Sequence, residues 1–186
     1  MNFTLYYRGL LKSNRGPADK QILRRHFHRQ LKELWSHKPL SGFHQKLLDR
    51  TRPDQSSNIL RSVQGFEFAP LVCEKVSLVA ELNIMLFRPQ APGQLVGSGG
   101  DIDNRLKTLL DSLKVPSEPN ALLPGEKPTA DEQPFYCLLE DDKLITGLTV
   151  VTQRLLEPGL DPNDVLVLIN VTTRIIDTMW GNIGLG

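Results

Sequence analysis

Hydrophobic and polar residues alternate along the first part of the chain with the periods of both strands and helices. Residues 2–8, rich in β-branched and aromatic side chains, predict a first strand. From Ala18 to His37 the apolar residues recur at steps of three and four, which predicts an amphipathic helix. These apolar residues are Ile22, Leu23, Phe27, Leu31, Leu34 and Trp35. A second short helix is predicted over 43–50, followed by a polar connector.

The second part of the chain predicts further strands around one central helix. Residues 65–72 and 75–89 are predicted strands, and the second becomes apolar on both faces. After residue 101 a single leucine stripe predicts a short helix. It consists of Leu106, Leu109, Leu110 and Leu113. A long strand after residue 142 and a final strand over 164–175 complete an α+β fold. We predict a single mixed β-sheet with helices packed on it and an N-terminal basic helical arm.

Length and composition favour one globular domain spanning residues 1–186. Within it we distinguish an N-terminal strand and basic helical segment (1–60), a core (65–176) and an insert (114–134) that five prolines make irregular. No apolar run is long enough to span a membrane, and the N-terminal residues lack a secretory pattern. We therefore predict no membrane partner, a cytoplasmic location and reduced thiols at the two cysteines.

Charge is distributed unevenly along the chain. Residues 1–50 hold 11 Lys or Arg and three acids, a net charge of +8, whereas residues 51–186 hold 11 and 18, a net charge of −7. A basic first segment favours a polyanionic partner. The alternative is a fold in which the basic and acidic halves attract each other.

A glycine-rich stretch, residues 97–100, leads into two carboxylates one residue apart, Asp101 and Asp103. In an extended backbone such residues point to the same side, so both can bind one ion. Hard oxygen ligands suit Mg²⁺ or Mn²⁺, and Asn104 can add a carbonyl oxygen or orient a water. The alternative is that Asp103 caps the helix that follows. The spacings of an EF-hand loop and of glycine-rich phosphate loops are absent.

A second acidic group, Glu140, Asp141 and Asp142, stands just before an apolar strand. Adjacent like charges repel one another, and an apolar sheet does not need them at its edge. One reading is a solvated turn, and the other is that one of these acids supplies the remote metal ligand. Carboxylates around a divalent ion are typical of phosphodiester hydrolases, in which the metal activates a water and stabilises charge on the phosphate.

Taken together, these residues resemble the RusA-type Holliday-junction resolvases, small homodimeric Mg²⁺-dependent endonucleases of bacteria and phages. The family pattern is Asp-x-Asp-Asn, a Lys three residues later, Asp-x-Leu at the helix end, and a downstream Asp-Asp before an aliphatic strand. In this sequence the pattern falls on Asp101, Asp103, Asn104, Lys107, Asp111, Leu113, Asp141, Asp142 and Ile145. The match covers roughly residues 76–176. The turn after the first strand keeps only part of the family pattern.

The resemblance implies a RusA-like fold in which Asp101, Asp103 and Asp142 are the metal-binding catalytic acids. Asp142 is favoured over Asp141 because the second acid of the pair carries the chemistry in the family. Lys107 would contact the scissile phosphate. The alternative for Lys107 is an ordinary ion pair with a carboxylate one helical turn away, worth about 0.2–0.5 kcal/mol. The implied cofactor is Mg²⁺, with Mn²⁺ as an alternative, and the implied partners are branched or four-way DNA and a second copy.

The basic helix predicts the nucleic-acid contacts. They are Arg15, Arg24, Arg25, Arg29 and Lys32, with Asn104 beside the acids. Each phosphate contact would steepen the salt dependence of the binding constant for duplex DNA by about 0.9 log units per log unit of salt concentration. The alternative is a solvated helix face. The four histidines, His26, His28, His37 and His44, are interpreted as surface or phosphate-contacting side chains.

From the sequence we therefore expect a Mg²⁺-dependent, structure-selective DNA endonuclease that resolves Holliday junctions by phosphodiester hydrolysis. A twofold homodimer would supply the two symmetric cuts that a four-way junction needs. Two alternatives stay open. One is a non-cleaving module of the same fold that binds branched DNA or a protein, and the other is a metal-dependent phosphohydrolase that acts on nucleotides.

Overall fold

The structure is a computed structural model that describes residues 1–12, 16–51, 58–91, 102–118, 120–179 and 182–185. These residues form seven strands and three helices. The strands are β1 (Asn2–Leu10), β2 (Arg61–Val63), β3 (Phe66–Val72), β4 (Leu78–Arg88), β5 (Phe135–Leu139), β6 (Ile145–Arg154) and β7 (Asp164–Ile175). The helices are α1 (Pro17–Ser36), α2 (His44–Leu47) and α3 (Ile102–Leu113). No helix among the described residues is long and apolar enough to cross a membrane.

The strands form two mixed sheets, so the fold is α+β, but the prediction of one sheet is wrong. The larger sheet has the order β1-β7-β4-β6, and the smaller has the order β2-β3-β5. The division arises because β5 pairs in parallel with β3, and the chain then crosses at the acidic residues 140–142 into β6 of the other sheet. Both sheets combine parallel and antiparallel pairs.

Burial on both faces explains why β3 and β5 stay together. One face contributes Ala69, Leu71 and Leu138 to the main core. The other face contributes Phe68 and Phe135 to a second, smaller apolar cluster. That cluster is completed by Phe66, Val115, Leu122 and Cys137, two of which come from the proline-rich segment after α3. The segment is irregular, as predicted, but it covers the smaller sheet.

The larger sheet buries one face and leaves the other face open among the described residues. Residues of even number in β4, such as Ile84, are buried together with their partners of odd number in β7, such as Ile169. On the other face one cross-strand row is apolar across all four strands. The row is Tyr6, Leu168, Met85 and Val151. Tyr6 is 52% exposed and Val151 is 42% exposed.

Helix α1 packs between the sheets through Phe27, Leu31 and Trp35, which are at most 1% exposed. The predicted apolar stripe is wrong at Ile22, which is 61% exposed. Instead, the helix turns a second, polar side inward. This side consists of Gln21, Arg24 and His28, all buried.

Helix α1 also covers the free edge of the larger sheet at the middle of β1. The side-chain amide of Gln30 accepts a hydrogen bond from the backbone N–H of Tyr6 (2.9 Å) and donates one to the backbone oxygen of the same residue (2.8 Å). His26 Nε2 lies 2.9 Å from that same oxygen. The amide therefore stands where a neighbouring strand would place a peptide group. The edge of β6 has no such cover among the described residues.

Candidate active site

Helix α3 presents the first part of the predicted acidic motif. Asp101 lies outside the described residues. Asp103 is exposed in the first turn of a helix that begins at Ile102, so it does not occupy the N-cap position that the alternative reading required. Its negative charge still complements the positive end of the helix dipole. No hydrogen bond or ion pair within the described part of the chain engages its carboxylate.

Two further motif residues follow on the same helix. Asn104 is half-buried, and its backbone oxygen accepts a hydrogen bond from the hydroxyl of Thr108 (2.9 Å). Lys107 is exposed, and none of the ion pairs between described residues involves it. The predicted alternative, a pair with Asp103 or Asp111, is therefore not formed. Among the described residues, no carboxylate competes with an external anion for the ammonium of Lys107.

The three acids at residues 140–142 have different surroundings. Glu140 is bound to Arg61 (2.5 Å) and accepts a hydrogen bond from the backbone N–H of Glu74 (3.0 Å). Asp141 caps a short 3₁₀ turn by accepting a hydrogen bond from the backbone N–H of Lys143 (2.9 Å). These two carboxylates therefore serve the local fold. Asp142 does not, because it turns toward the end of α3.

Asp142 meets a cluster of alternating charges at that end of the helix. One carboxylate oxygen, Oδ2, forms an ion pair with Lys114, the residue that follows α3. The same ammonium lies 3.5 Å from Asp111, and Asp111 forms a second ion pair with Lys20 of α1 (2.6 Å). We call these four residues, Lys20, Asp111, Lys114 and Asp142, the charge cluster.

The charge cluster is partly buried, and its ion pairs shift the pKa values of Asp111 and Lys114 toward the ionised forms. Burial alone would raise the pKa of Asp111, but the hydrogen bond and charge of Lys20, with the charge of Lys114, outweigh it and lower that pKa. Burial alone would lower the pKa of Lys114, but its bonds to Asp142 and Asp111 outweigh it and raise that pKa. A cavity of about 280 Å³ opens beside the cluster. Its lining includes Lys20, Arg24, Asp111, Lys114, Ser117 and Asn120.

One atom of Asp142 is unexplained by the protein itself. Its second carboxylate oxygen, Oδ1, is buried and has no hydrogen-bond partner among the described residues. A buried carboxylate oxygen without a partner is costly, and such atoms commonly mark the place of a water or an ion. The donor is also of the hard oxygen type that Mg²⁺ and Mn²⁺ prefer. Asp142 can therefore supply one oxygen ligand to a divalent cation or bind a water at this point.

The structure does not join Asp142 to Asp103 through any described contact. Asp142 meets α3 beside Asp111, which lies eight residues after Asp103, or about 12 Å along a helix axis. Within the described ranges no three side chains of His, Cys, Asp or Glu gather as a metal site. Asp101, the third acid of the predicted set, is not among those residues.

The predicted nucleic-acid contacts on α1 need correction at Arg24. The residue is 3% exposed, and its guanidinium donates hydrogen bonds to the backbone oxygens of Ala121 (2.9 Å) and Asp111 (3.1 Å). Burial lowers the pKa of Arg24. The side chain fastens α1 to α3 and to the proline-rich segment. The prediction that it contacts DNA is wrong, because the helix turns this position inward.

Other basic residues of α1 are neutralised by acids from the second half of the chain. Arg25 pairs with Glu132 (2.7 Å) and with Glu126 (2.9 Å), and Lys32 pairs with Asp131. These pairs favour the alternative reading of the charge asymmetry, in which the two halves attract each other. Arg29 is exposed and forms none of the ion pairs between described residues. Arg15 lies outside the described residues.

Three of the four histidines serve the fold in the described structure, whereas His37 is exposed beside Glu33 (3.1 Å), as predicted for a surface side chain. His28 is buried, contrary to the prediction of a surface side chain, and its Nδ1 accepts a hydrogen bond from the backbone N–H of Tyr136 (2.9 Å). Burial lowers the pKa of His28, in keeping with this acceptor role. The side chains of His26 and His44 bind the backbone oxygens of Tyr6 and Trp35.

The two cysteines are equally unsuited to nucleophilic chemistry. Both are buried and reduced, and burial raises the pKa of Cys73 to about 12 and that of Cys137 further still. A thiol acts as a nucleophile through its thiolate, which these pKa values disfavour at neutral pH.

Sequence reasoning missed Lys20 and Lys114. Their sequence context carries only a weak signal, since lysines near helix ends are common. The pairing of α1 with the end of α3, which brings them to the two acids, becomes visible only in three dimensions.

Comparison with known proteins leaves these observations to stand alone. The chain matches no protein-family model, and no curated protein or solved structure gives a match either. Its function must therefore be inferred from its own residues.

Proposed function

We propose that this protein is a Mg²⁺-dependent DNA endonuclease of the RusA type that cuts branched DNA such as the Holliday junction. The observation that carries the proposal is the state of Asp142. One carboxylate oxygen of Asp142 pairs with Lys114, and of the three adjacent acids only Asp142 has a buried oxygen without a described partner. The family pattern selects this same acid.

The side chains then divide the work. Asp142 would supply hard oxygens to the cation, and Asp103 and Asp101 are the further ligands that the resemblance implies. A divalent cation bound to these acids supplies an activated water and neutralises charge on the phosphate. Lys107 is exposed and available for a phosphate oxygen. Arg29 is the exposed residue of α1 that can still contact the DNA backbone, whereas Arg24, Arg25 and Lys32 are engaged within the protein.

The decisive experiment is cleavage of a labelled synthetic four-way junction with Mg²⁺ or Mn²⁺. We expect the wild type to cut and Asp142→Asn to lose activity. The neighbouring substitution Asp141→Asn is the matched control, since Asp141 only caps a turn, and it should retain activity. Flap and fork substrates in the same assay would define the range of branched DNA that is cut.

One observation favours a second candidate, a non-cleaving module that binds branched DNA. Asp103 lies in the first turn of α3, whereas Asp142 pairs with Lys114 just after its last turn, and no described contact joins the two acids. This candidate predicts tight junction binding with no cleavage by the wild type across Mg²⁺, Mn²⁺ and Co²⁺. The same result would exclude the endonuclease.

A second copy of the chain is the partner that the open face of the larger sheet fits. An apolar row crosses all four strands there, from Tyr6 to Val151. Two pairs of opposite charges on this face are already joined, Arg174 with Glu81 (2.8 Å) and Arg8 with Glu157 (2.6 Å). Paired charges offer little to a polyanion, whereas the apolar row can pack against the same row of a second copy.

The dimer can be tested by measuring molar mass in solution. Sedimentation equilibrium should give a dimer for the wild type and a monomer for Val151→Asp, which places a charge in the apolar row. Leu123→Asp is the control, because Leu123 is exposed in the proline-rich segment, which covers the smaller sheet and not the larger one. A wild-type monomer at all concentrations, or a Val151→Asp dimer of unchanged strength, would exclude this interface.

A further inference from the structure

Lys114 occupies a position that the family pattern does not assign. Its side chain is 19% exposed, and its ammonium lies between two carboxylates, that of Asp142 and that of Asp111. Lys107, the lysine of the motif, makes no such contact among the described residues. The cation that the structure brings to Asp142 is therefore Lys114.

The charge cluster is neutral as it stands. Lys20 and Lys114 carry two positive charges, and Asp111 and Asp142 carry two negative charges. A divalent cation at Asp142 would leave the cluster with an excess of two positive charges, and it would compete with the ammonium for the same carboxylate. Asp111 lies close enough to Lys114 to keep it in place once Asp142 is taken.

The surroundings of Lys114 suit a phosphate group. The lining of the adjacent cavity of about 280 Å³ includes three cationic side chains, Lys20, Arg24 and Lys114, against two acidic ones, Asp111 and Glu118. An ammonium binds phosphate as a compact point charge. The excess positive charge that arrives with the metal would be compensated by a phosphodiester at this point.

We propose that Lys114 is a positioning residue that holds Asp142 as its counter-ion until a divalent cation displaces it, after which the freed ammonium binds a DNA phosphate. This proposal rests on the proposed function, since it takes Asp142 as a metal ligand. It makes metal binding and phosphate binding mutually strengthening, because each relieves the charge imbalance that the other creates.

The first test measures Mn²⁺ affinity of the full chain by the EPR signal of free Mn²⁺. Lys114→Met should bind Mn²⁺ at least about fivefold more tightly than the wild type, because the competing cation is gone. Lys20→Met is the matched control and should change affinity less than about twofold, since Lys20 contacts Asp111 and not Asp142. Asp142→Asn should weaken Mn²⁺ binding both in the wild type and in Lys114→Met. A destabilised site would bind the ion less tightly, so a gain in affinity separates displacement from damage.

The second test adds dimethyl phosphate as a soluble phosphodiester. It should increase the Mn²⁺ affinity of the wild type and of Lys20→Met, and this increase should vanish in Lys114→Met. Equal or weaker Mn²⁺ binding by a folded Lys114→Met, or an unchanged effect of dimethyl phosphate, would overturn the proposal. Absence of Mn²⁺ binding by both wild type and Lys114→Met would overturn it as well.

These results are separable from those of the cleavage assay. If Lys114→Met binds Mn²⁺ more tightly than the wild type but the wild type does not cut the junction, the endonuclease proposal is excluded and the role of Lys114 is retained. Junction cleavage by the wild type, together with unchanged Mn²⁺ affinity in Lys114→Met, would remove the role of Lys114 and leave the endonuclease intact.

Discussion

The two ends of α3 carry the same residue types in opposite situations. Near its start Asp103 and Lys107 are exposed, and neither forms a hydrogen bond or an ion pair with another described side chain. Near its end Asp111 and Lys114 are largely buried and bound to each other, to α1 and to Asp142. An Asp and a Lys one turn apart can therefore stay available to a ligand or hold elements together, and packing decides which.

The difference follows from what lies against each end. Arg24 of α1 binds the backbone oxygen of Asp111, so α1 covers the last turn of α3. Where water is excluded, an Asp without a cation would be costly, and each charge there needs a partner. At the exposed start, solvent replaces that partner at little cost. Substitutions at the two ends should consequently affect different quantities.

The largest expected effect is a loss of cleavage activity when a residue at the exposed start of α3 is substituted. Asp103→Asn removes a charged metal ligand, and junction cleavage should fall by more than about 100-fold. The free energy of unfolding should fall by less than about 1 kcal/mol, because only the interaction of the carboxylate with the helix dipole is lost. Single-turnover cleavage and denaturant unfolding measure the two quantities. A large loss of stability would show that Asp103 is structural.

The next effect concerns stability and comes from the buried end. Asp111→Asn leaves Lys20 without its carboxylate in a partly buried place, so the free energy of unfolding should fall by about 1–3 kcal/mol. Chemical denaturation at pH 7 measures this value. Asp103→Asn on the same helix is the control. Equal stability of the two variants would contradict the contrast between the ends.

Acid should weaken the buried end selectively. The pKa of Asp111 in the folded protein lies below its ordinary value of 3.8, so the unfolded chain binds the proton more readily. The stabilisation from this carboxylate is therefore complete above that ordinary pKa and is lost as pH falls through the lower, folded value. Unfolding of wild type and Asp111→Asn should converge in stability as the pH drops below about 4. A constant difference down to pH 2.5 would exclude this assignment.

The smallest effect is expected at Lys107. Lys107→Gln should leave stability unchanged and reduce the salt dependence of junction binding by about 0.9 log units per log unit of salt, as expected for one lost phosphate contact. Binding titrations between 50 and 200 mM salt, a range over which such contacts change affinity strongly, measure the slope. An unchanged slope would mean that the exposed end does not meet the DNA backbone.

Periodicity was a sound guide to individual elements. The predicted strand 2–8 and helix 18–37 correspond to Asn2–Leu10 and Pro17–Ser36. The leucine stripe corresponds to the helix Ile102–Leu113. These elements have one side facing the core, so the apolar spacing reports directly on the backbone. The second short helix, predicted over 43–50, is shorter in the structure and spans His44–Leu47.

Tertiary pairing could not be read in the same way. A strand that is apolar on both faces, such as β5, carries no mark of which sheet it joins, and two sheets formed where one was predicted. Arg24 was predicted to be a surface residue because it is charged. The sequence does not reveal the two backbone oxygens that bind its guanidinium inside the protein. The resemblance identified Asp142 as a candidate site residue. It could not identify the partner Lys114, because the charge cluster forms only when α1, the end of α3 and the turn at residues 140–142 pack together.

The amide of Gln30 against β1 has a consequence for how the larger sheet can grow. At the middle of the β1 edge, the Gln30 side chain forms the hydrogen bonds that a neighbouring strand would form. At the β6 edge, no described residue does so. An extra strand, whether supplied by a fused peptide or by an aggregating neighbour, would therefore be admitted alongside β6. Engineering that adds or blocks a strand belongs on that side.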